Sequence, residues 1–167
     1  MQVTIRRART SDIRTIRSLI DGYARERRLL DKPTVTLFES VQEFWVAERD
    51  DNAQVVACGA LHVMWEDLAE VRTLAVAQVC RGHGIGHQLL EKLIGTARWI
   101  GVRRIFCLTF EVEFFGKHGF KEIDATPVGP VVYEELLRSY DEGVAEFLGL
   151  ERVKPNTLGN TRMLLEL

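Results

Sequence analysis

The stretch Arg81-Gly82-His83-Gly84-Ile85-Gly86-His87 is the part of this chain best suited to hold a phosphate. It follows the apolar Leu74-Ala75-Val76 and opens a helical pattern over 85–100. The first turn of a helix carries N–H groups without intrahelical partners and a partial positive charge, so anions bind there. Glycines at 82, 84 and 86 let the main chain approach a phosphate closely, because no Cβ intervenes. Arg81 adds a fixed positive charge. A pyrophosphate is the ligand this arrangement suits. A Walker A loop is excluded, since no Lys-Ser or Lys-Thr pair follows the glycines. The dinucleotide fingerprint GxGxxG fails too: its third glycine would fall on His87 or on Leu89. A lone Gly-rich turn is as often only a tight turn; three alternating glycines behind an arginine, at the head of a helix, go beyond that.

The other residue types that do chemistry are sparse. Four histidines occur. His83 and His87 lie in the phosphate turn and would offer backbone N–H groups. His62 is on a strand and is a second-rank base. His118 reads as a turn residue. Cys58, Cys80 and Cys107 are odd in number and widely spaced, which argues against a disulfide framework or a metal site. Cys58 and Cys107 sit in apolar strand-like runs and read as reduced core residues. Cys107 has no His or Lys beside it to make a thiolate.

These residues need elements to position them. Residues 2–6 alternate as a strand. Thr10, Ser11 and Asp12 offer N-caps for a helix carrying Ile13, Ile16, Leu19 and Ile20. The charged RERRLLDK reads as a helix end and loop, with Arg25, Arg27 and Arg28 on a solvated face. Strands are predicted over 43–49, 54–65 and 68–76, the first two joined by the Asp50-Asp51-Asn52 turn. The 85–100 helix buries Leu89, Leu90, Leu93, Ile94 and Ala97 and stops at Gly101. Then come a strand at 103–110, a short helix at 111–118, a strand at 120–123, one helix over 130–148 with Tyr140 among its apolar positions, and a last strand, RMLLEL. The fold class is α+β, a mixed layer fold.

The bulk numbers set outer limits. The 167 residues fit one domain, 1–167. A net charge of −2 and a pI near 6.1 lack the basic excess of a nucleic-acid binder. No window has the roughly 18 apolar residues of a membrane span. The start, MQVTIRRART, lacks an apolar core for a secretory signal. With unpaired cysteines, this places the chain in the cytoplasm.

The Gly-rich turn resembles the acetyl-CoA motif of the GNAT superfamily of acyl-CoA N-acyltransferases: Arg or Gln, two residues of any type, Gly, one of any type, then Gly or Ala. Here it reads Arg81-Gly82-His83-Gly84-Ile85-Gly86. KHGFKEI (117–123) resembles the family's later segment, and the likeness covers roughly residues 2–125. It implies a mostly antiparallel central sheet, splayed at the acetyl-CoA cleft, with helices on both faces. A bulge would part the strand ending at Val76 from the strand at 103–110. The pantetheine arm would lie in that opening, against the free backbone of Leu74 and Val76 and beside Ala75. The pyrophosphate would sit on the amides of 82–87, and Phe115 would line the coenzyme. Acetyl-CoA is then a cosubstrate, with no metal. A narrower likeness, through 35–48, 58–76, 108–120 and 153–167, is to the short, kinase-less N-acetylglutamate synthases of bacterial arginine biosynthesis.

That resemblance implies amine chemistry. An α-ammonium must lose a proton before it attacks a thioester. Glu70 is the candidate base. Alternation along the strand puts Glu70, Arg72, Leu74 and Val76 on one face. Arg72 either pairs with Glu70 or grips an acceptor carboxylate. The family's usual acid, a Tyr, is Phe115 here, so the thiolate leaves unassisted or takes its proton from water or another group. Glutamate has two carboxylates and needs two polar anchors. Lys32, Arg72, Lys154 and Arg162, with Thr109, Asn160 and Thr161, are the candidates. Larger relatives carry Arg-x-Ser where this chain has Gly159 and Thr161, which keeps glutamine in play. The acceptor class is a small amino acid. A protein N-terminus, a lysine, a polyamine, or a non-catalytic acyl-CoA-binding module are the alternatives. Exposed edges and the C-terminal helix would suit a homodimer.

Overall fold

The computed structural model describes residues 1–25, 32–153 and 159–167. In chain order the elements are β1 (Val3–Arg7), α1 (Ile13–Arg25), α2 (Thr34–Glu39), β2 (Phe44–Arg49), β3 (Val55–Trp65), β4 (Leu68–Val76), α3 (Ile85–Ile100), β5 (Arg104–Thr109), α4 (Val112–Gly116), β6 (Lys121–Glu122), α5 (Pro130–Leu136), α6 (Glu142–Leu148) and β7 (Thr161–Glu166). The seven strands order as β1-β2-β3-β4-β5-β7-β6. Pairing is antiparallel for β1/β2, β2/β3, β5/β7 and β6/β7, and parallel for β4/β5. This is the mixed, mostly antiparallel α+β sheet expected. Arg27 and Arg28, with most of the charged run RERRLLDK, lie outside the described residues, as does Lys154.

The chain divides into two units. The first holds Met1–His62 and Val71–Ile100. Val46 and Ala47 are neighbours on β2 and point to opposite faces. Val46 joins Ile13, Ile16 and Ile20 of α1 and Leu37 of α2 in one apolar cluster, with Cys58 and Ala75. Ala47 joins Ile85 and Leu89 of α3 in another, with Leu74 and Val76. Helices therefore cover both faces of this part of the sheet. α3 forms because its apolar positions recur at helical spacing, and it ends at Gly101, whose φ is 102°. The helix α2 was not evident in the sequence: it is one and a half turns long, and Leu37 is its buried residue.

A charged cluster ties β1, the head of α1 and β2 together. Arg6 grips Asp12 through both terminal nitrogens (2.7 and 3.1 Å) and Glu48 through Nε (2.9 Å) and Nη2 (2.6 Å). The Asp12 carboxylate also accepts from the Arg9 backbone N–H at 2.7 Å. Asp12, expected as a cap, thus satisfies an orphan donor of the helix start. Its hydrogen bond with Arg6 holds the Asp12 carboxyl below the usual carboxylate range against the opposing cost of burial. A carboxyl whose folded value is depressed stabilises fully above its unfolded value and loses that contribution as pH falls through the folded one. Asp12→Asn should therefore cost about 1.5–3 kcal/mol near neutral pH, and the gap to wild type should close in acid. Urea denaturation at pH 7 and pH 3 checks this; a gap that stays constant with pH overturns the assignment.

The second unit holds Val63–Glu70 and Gly101–Leu167. Its core joins Leu68, Phe106, Leu136, Val144 and Phe147, with Phe106 and Phe147 edge to face at 4.9 Å. The single helix expected over 130–148 is two. The Asp141 side chain accepts from the Val144 N–H at 2.9 Å, and the Ser139 hydroxyl accepts from the Asp141 N–H at 3.1 Å. These bonds start a fresh helix at Glu142 and break the pattern before it. Tyr140, expected on the apolar face, sits in the break and is 99% exposed.

Candidate active site

The Gly-rich turn is laid out as its composition demands. Gly82 and Gly84 have φ of 81° and 73°, the left-handed region that glycine enters freely. A Cβ built on either would meet nothing within 4 Å, so the surface above them is open. Arg81, Gly82, His83 and Gly84 are exposed, Gly86 and His87 half-buried, and Ile85 is buried, pinning the head of α3 to the core beneath. The α3 ladder begins with Gln88 N–H to Gly84 O at 3.1 Å. The N–H groups of Ile85, Gly86 and His87 precede it in the first turn. The His83 ring stays within the turn, its Nδ1 3.1 Å from the Arg81 carbonyl and 3.3 Å from that of Cys80.

The strand leading into this turn carries a break that alternation does not show. Thr73 has φ 59°, a left-handed conformation that a β-branched residue rarely adopts. Leu74 and Val76 pack with Ile85 and Leu89, while Ala75 packs with the α1 residues. The positive φ interrupts the extended backbone of β4 one residue before Leu74. The Cys58 thiol leans on the Thr73 carbonyl at 3.6 Å. Burial pushes that thiol up to about 12.

Val76 is not the free edge expected. The Tyr23 hydroxyl, on α1, donates to the Val76 carbonyl at 2.8 Å and accepts from the Val76 N–H at 3.3 Å. Arg81 donates from Nε to the same hydroxyl at 3.3 Å, and its guanidinium lies 4.9 Å from the Tyr23 ring centre. Sequence reasoning missed Tyr23, because its partner is 53 residues away.

In the second unit, Glu70 is 4% exposed. Its backbone pairs with Phe106, where the parallel β4/β5 register runs Leu68–Glu70 against Arg104–Phe106. The Glu70 charge is felt by two neighbours. It adds to burial in raising the Cys107 thiol well above its ordinary value, which fits a core cysteine and not a nucleophile. Burial lowers the Arg162 guanidinium, and the Glu70 carboxylate works against that shift. Arg162 lies over the Phe106 ring at 5.0 Å and donates from Nη2 to the Phe147 carbonyl and from Nη1 to the Glu146 carbonyl at 3.3 Å. Among the described residues, its Nε and the Asn160 Oδ1 are buried with no hydrogen-bond partner. Asn160 immediately precedes β7, two positions before Arg162. Thr161 pairs with Thr109, whose hydroxyl accepts from the Glu111 N–H at 2.8 Å and opens the turn into α4.

The remaining expected residues fall elsewhere. Phe115 is 6% exposed and stacks edge to face on Phe114 and Phe120, both at 5.2 Å. His118 packs against Phe114 at 5.6 Å. In the first unit, the His62 Nδ1 is held by Glu43 at 2.8 Å, and the Lys32 carbonyl accepts from Arg17. Arg72, 8% exposed, also belongs to this unit. Among the described residues, no group of His, Cys, Asp and Glu could hold a metal ion, and no helix is long and apolar enough to cross a membrane.

A mixed, mostly antiparallel sheet with a strand running into a glycine-lined helix start is the architecture of the GNAT acetyltransferases, and the family's domain model matches residues 40–122. The chain belongs to that family: it is an acetyltransferase whose cosubstrate is acetyl-CoA. Within the family, it is 58% identical to the amino-acid acetyltransferase of Mycobacterium tuberculosis over 98% of this chain and 94% of the relative. The crystal structure of Rv2747 from M. tuberculosis, in complex with CoA and NLQ, superposes with a TM-score of 0.96 at 57% identity, over 98% of this chain and 99% of that one. The N-acetylglutamate synthase of Neisseria gonorrhoeae, complexed with coenzyme A and N-acetyl-glutamate, superposes at 0.78 with 25% identity. That match takes in all of this chain and 35% of the gonococcal one.

Proposed function

We propose that this enzyme transfers the acetyl group to the α-amine of L-glutamate, the first step of arginine biosynthesis. The observation that carries the proposal is the set Glu70, Arg162 and Asn160: a buried carboxylate within electrostatic reach of a half-buried guanidinium and, two residues along the chain from that arginine, a buried amide oxygen with no hydrogen-bond partner among the described residues. Such a constellation suits a zwitterion: the ammonium meets carboxylate and amide oxygen, and the carboxylate meets the cation. The synthase from N. gonorrhoeae with N-acetyl-glutamate supports glutamate as the acceptor. A second reading, L-glutamine, draws on Arg162, which gives both terminal nitrogens to α6 carbonyls and so has less to offer a second carboxylate.

Acetyl-CoA supplies the activated acyl group as a thioester. The exposed glycines, Arg81 and the first-turn amides through His87 would hold its pyrophosphate, and Leu74, Ala75 and Val76 its arm. Glu70 takes the proton from the acceptor ammonium, directly or through water. Thr109 and Thr161 complete the proposed acceptor contacts within the second unit. Phe115 contributes packing, with no hydroxyl to donate.

Thiol release from acetyl-CoA against the twenty amino acids tests the assignment. Glutamate or glutamine should accelerate release by at least about a hundredfold over the others, since a site built on buried polar pairs rejects analogues that leave them unmatched. Equal rates with all twenty, or stimulation only by amines such as spermidine, would remove it.

A further inference from the structure

We infer that Tyr23 is a displaceable strand mimic: its hydroxyl occupies the main-chain groups of Val76 that the arm of acetyl-CoA uses, so coenzyme binding must expel it. The inference rests on the proposed course of the coenzyme along β4.

A residue at a strand edge offers its N–H and C=O on the same side, and an extended partner satisfies both. Here one hydroxyl does so, as donor to the Val76 carbonyl (2.8 Å) and acceptor from the Val76 N–H (3.3 Å). A phenol can serve in both roles at once. An extended amide-bearing ligand laid on the same edge needs these two groups, and two partners cannot fill one place. Arg81 is drawn in as well, through Nε to the hydroxyl and through its guanidinium over the ring. The same side chain thus engages the residue proposed for the pyrophosphate and the residue proposed for the arm. When the hydroxyl leaves Val76, Arg81 loses a partner and turns to the phosphates. Tyr23 acts through Val76 and Arg81 and is a positioning residue.

Tyr23→Phe removes the competing hydroxyl and keeps the ring. Isothermal titration of CoA should show binding about three- to tenfold tighter than in wild type, the worth of one net hydrogen bond. KM for acetyl-CoA should fall in step while kcat stays the same. Adenosine 3′,5′-bisphosphate, which lacks the arm, should gain less than CoA does. A crystal of the wild-type enzyme with CoA should place the Tyr23 oxygen beyond hydrogen-bond distance of Val76. Equal or weaker CoA binding in Tyr23→Phe overturns the inference, as do both Tyr23–Val76 bonds persisting in the complex. An equal gain for the armless nucleotide also overturns it, because the hydroxyl would then act on Arg81 alone. Wild-type protein that binds no CoA would bring down the functional proposal and this inference together; the other outcomes leave the functional proposal standing.

Discussion

Gly84→Glu should lower kcat/KM for acetyl-CoA by about a hundredfold or more, with CoA binding lost in calorimetry and the fold retained. A hundredfold is about 2.7 kcal/mol, and two costs reach it together. Gly84 has φ 73°, and a side chain held there costs roughly 1–2 kcal/mol. The new carboxylate would also stand where a pyrophosphate is to bind, and like charges at such range repel strongly. Folding should survive, because a Cβ at this position meets nothing within 4 Å. Gly95→Glu is the charge-matched control. It lies on α3 outside the turn, with equal room for a side chain, and should keep its CoA affinity. Gly84→Glu with unimpaired CoA binding would mean that the turn does not hold the coenzyme.

The second large effect concerns proton removal. Glu70→Gln should reduce kcat by about 10²–10⁴-fold, the range for loss of a positioned base, and leave the CoA dissociation constant unchanged. The deficit should shrink at pH values above the acceptor amine's own pKa, where the amine arrives without its proton. A purely structural Glu70, serving only as a counter-charge to Arg162, would show a different signature: lower thermal stability and a kcat deficit that does not vary with pH. That signature, or full kcat, would sink the base assignment. The side chain is 4% exposed, so a melting curve must accompany the kinetics.

How far the sequence carried these conclusions depends on the range of each interaction. The α3 helix was legible in its apolar spacing and its terminal Gly101, and Gly82 and Gly84 announced the backbone they adopt. The succession of strands along the chain followed from local alternation and turns; the insertion of β7 between β5 and β6 did not. Three features escaped for physical reasons. The α5/α6 break is set by Asp141 capping a new helix, a competition that apolar periodicity does not register. The left-handed backbone at Thr73 puts a β-branched residue where propensity disfavours it, so no local signal marks it. The bonds of Tyr23 to Val76 and of Arg162 to the α6 carbonyls join segments remote in sequence, and only the folded chain brings them together. Arg162 was visible as a candidate anchor, but its commitment to main-chain carbonyls was not.

The left-handed residue at Thr73 stands three positions before the end of β4, just upstream of the side chains packed under α3. A branched side chain held in that conformation costs roughly 1–2 kcal/mol, which the packing of its neighbours must offset. The segment that delivers the glycine turn is therefore tensioned, not relaxed, at its entry.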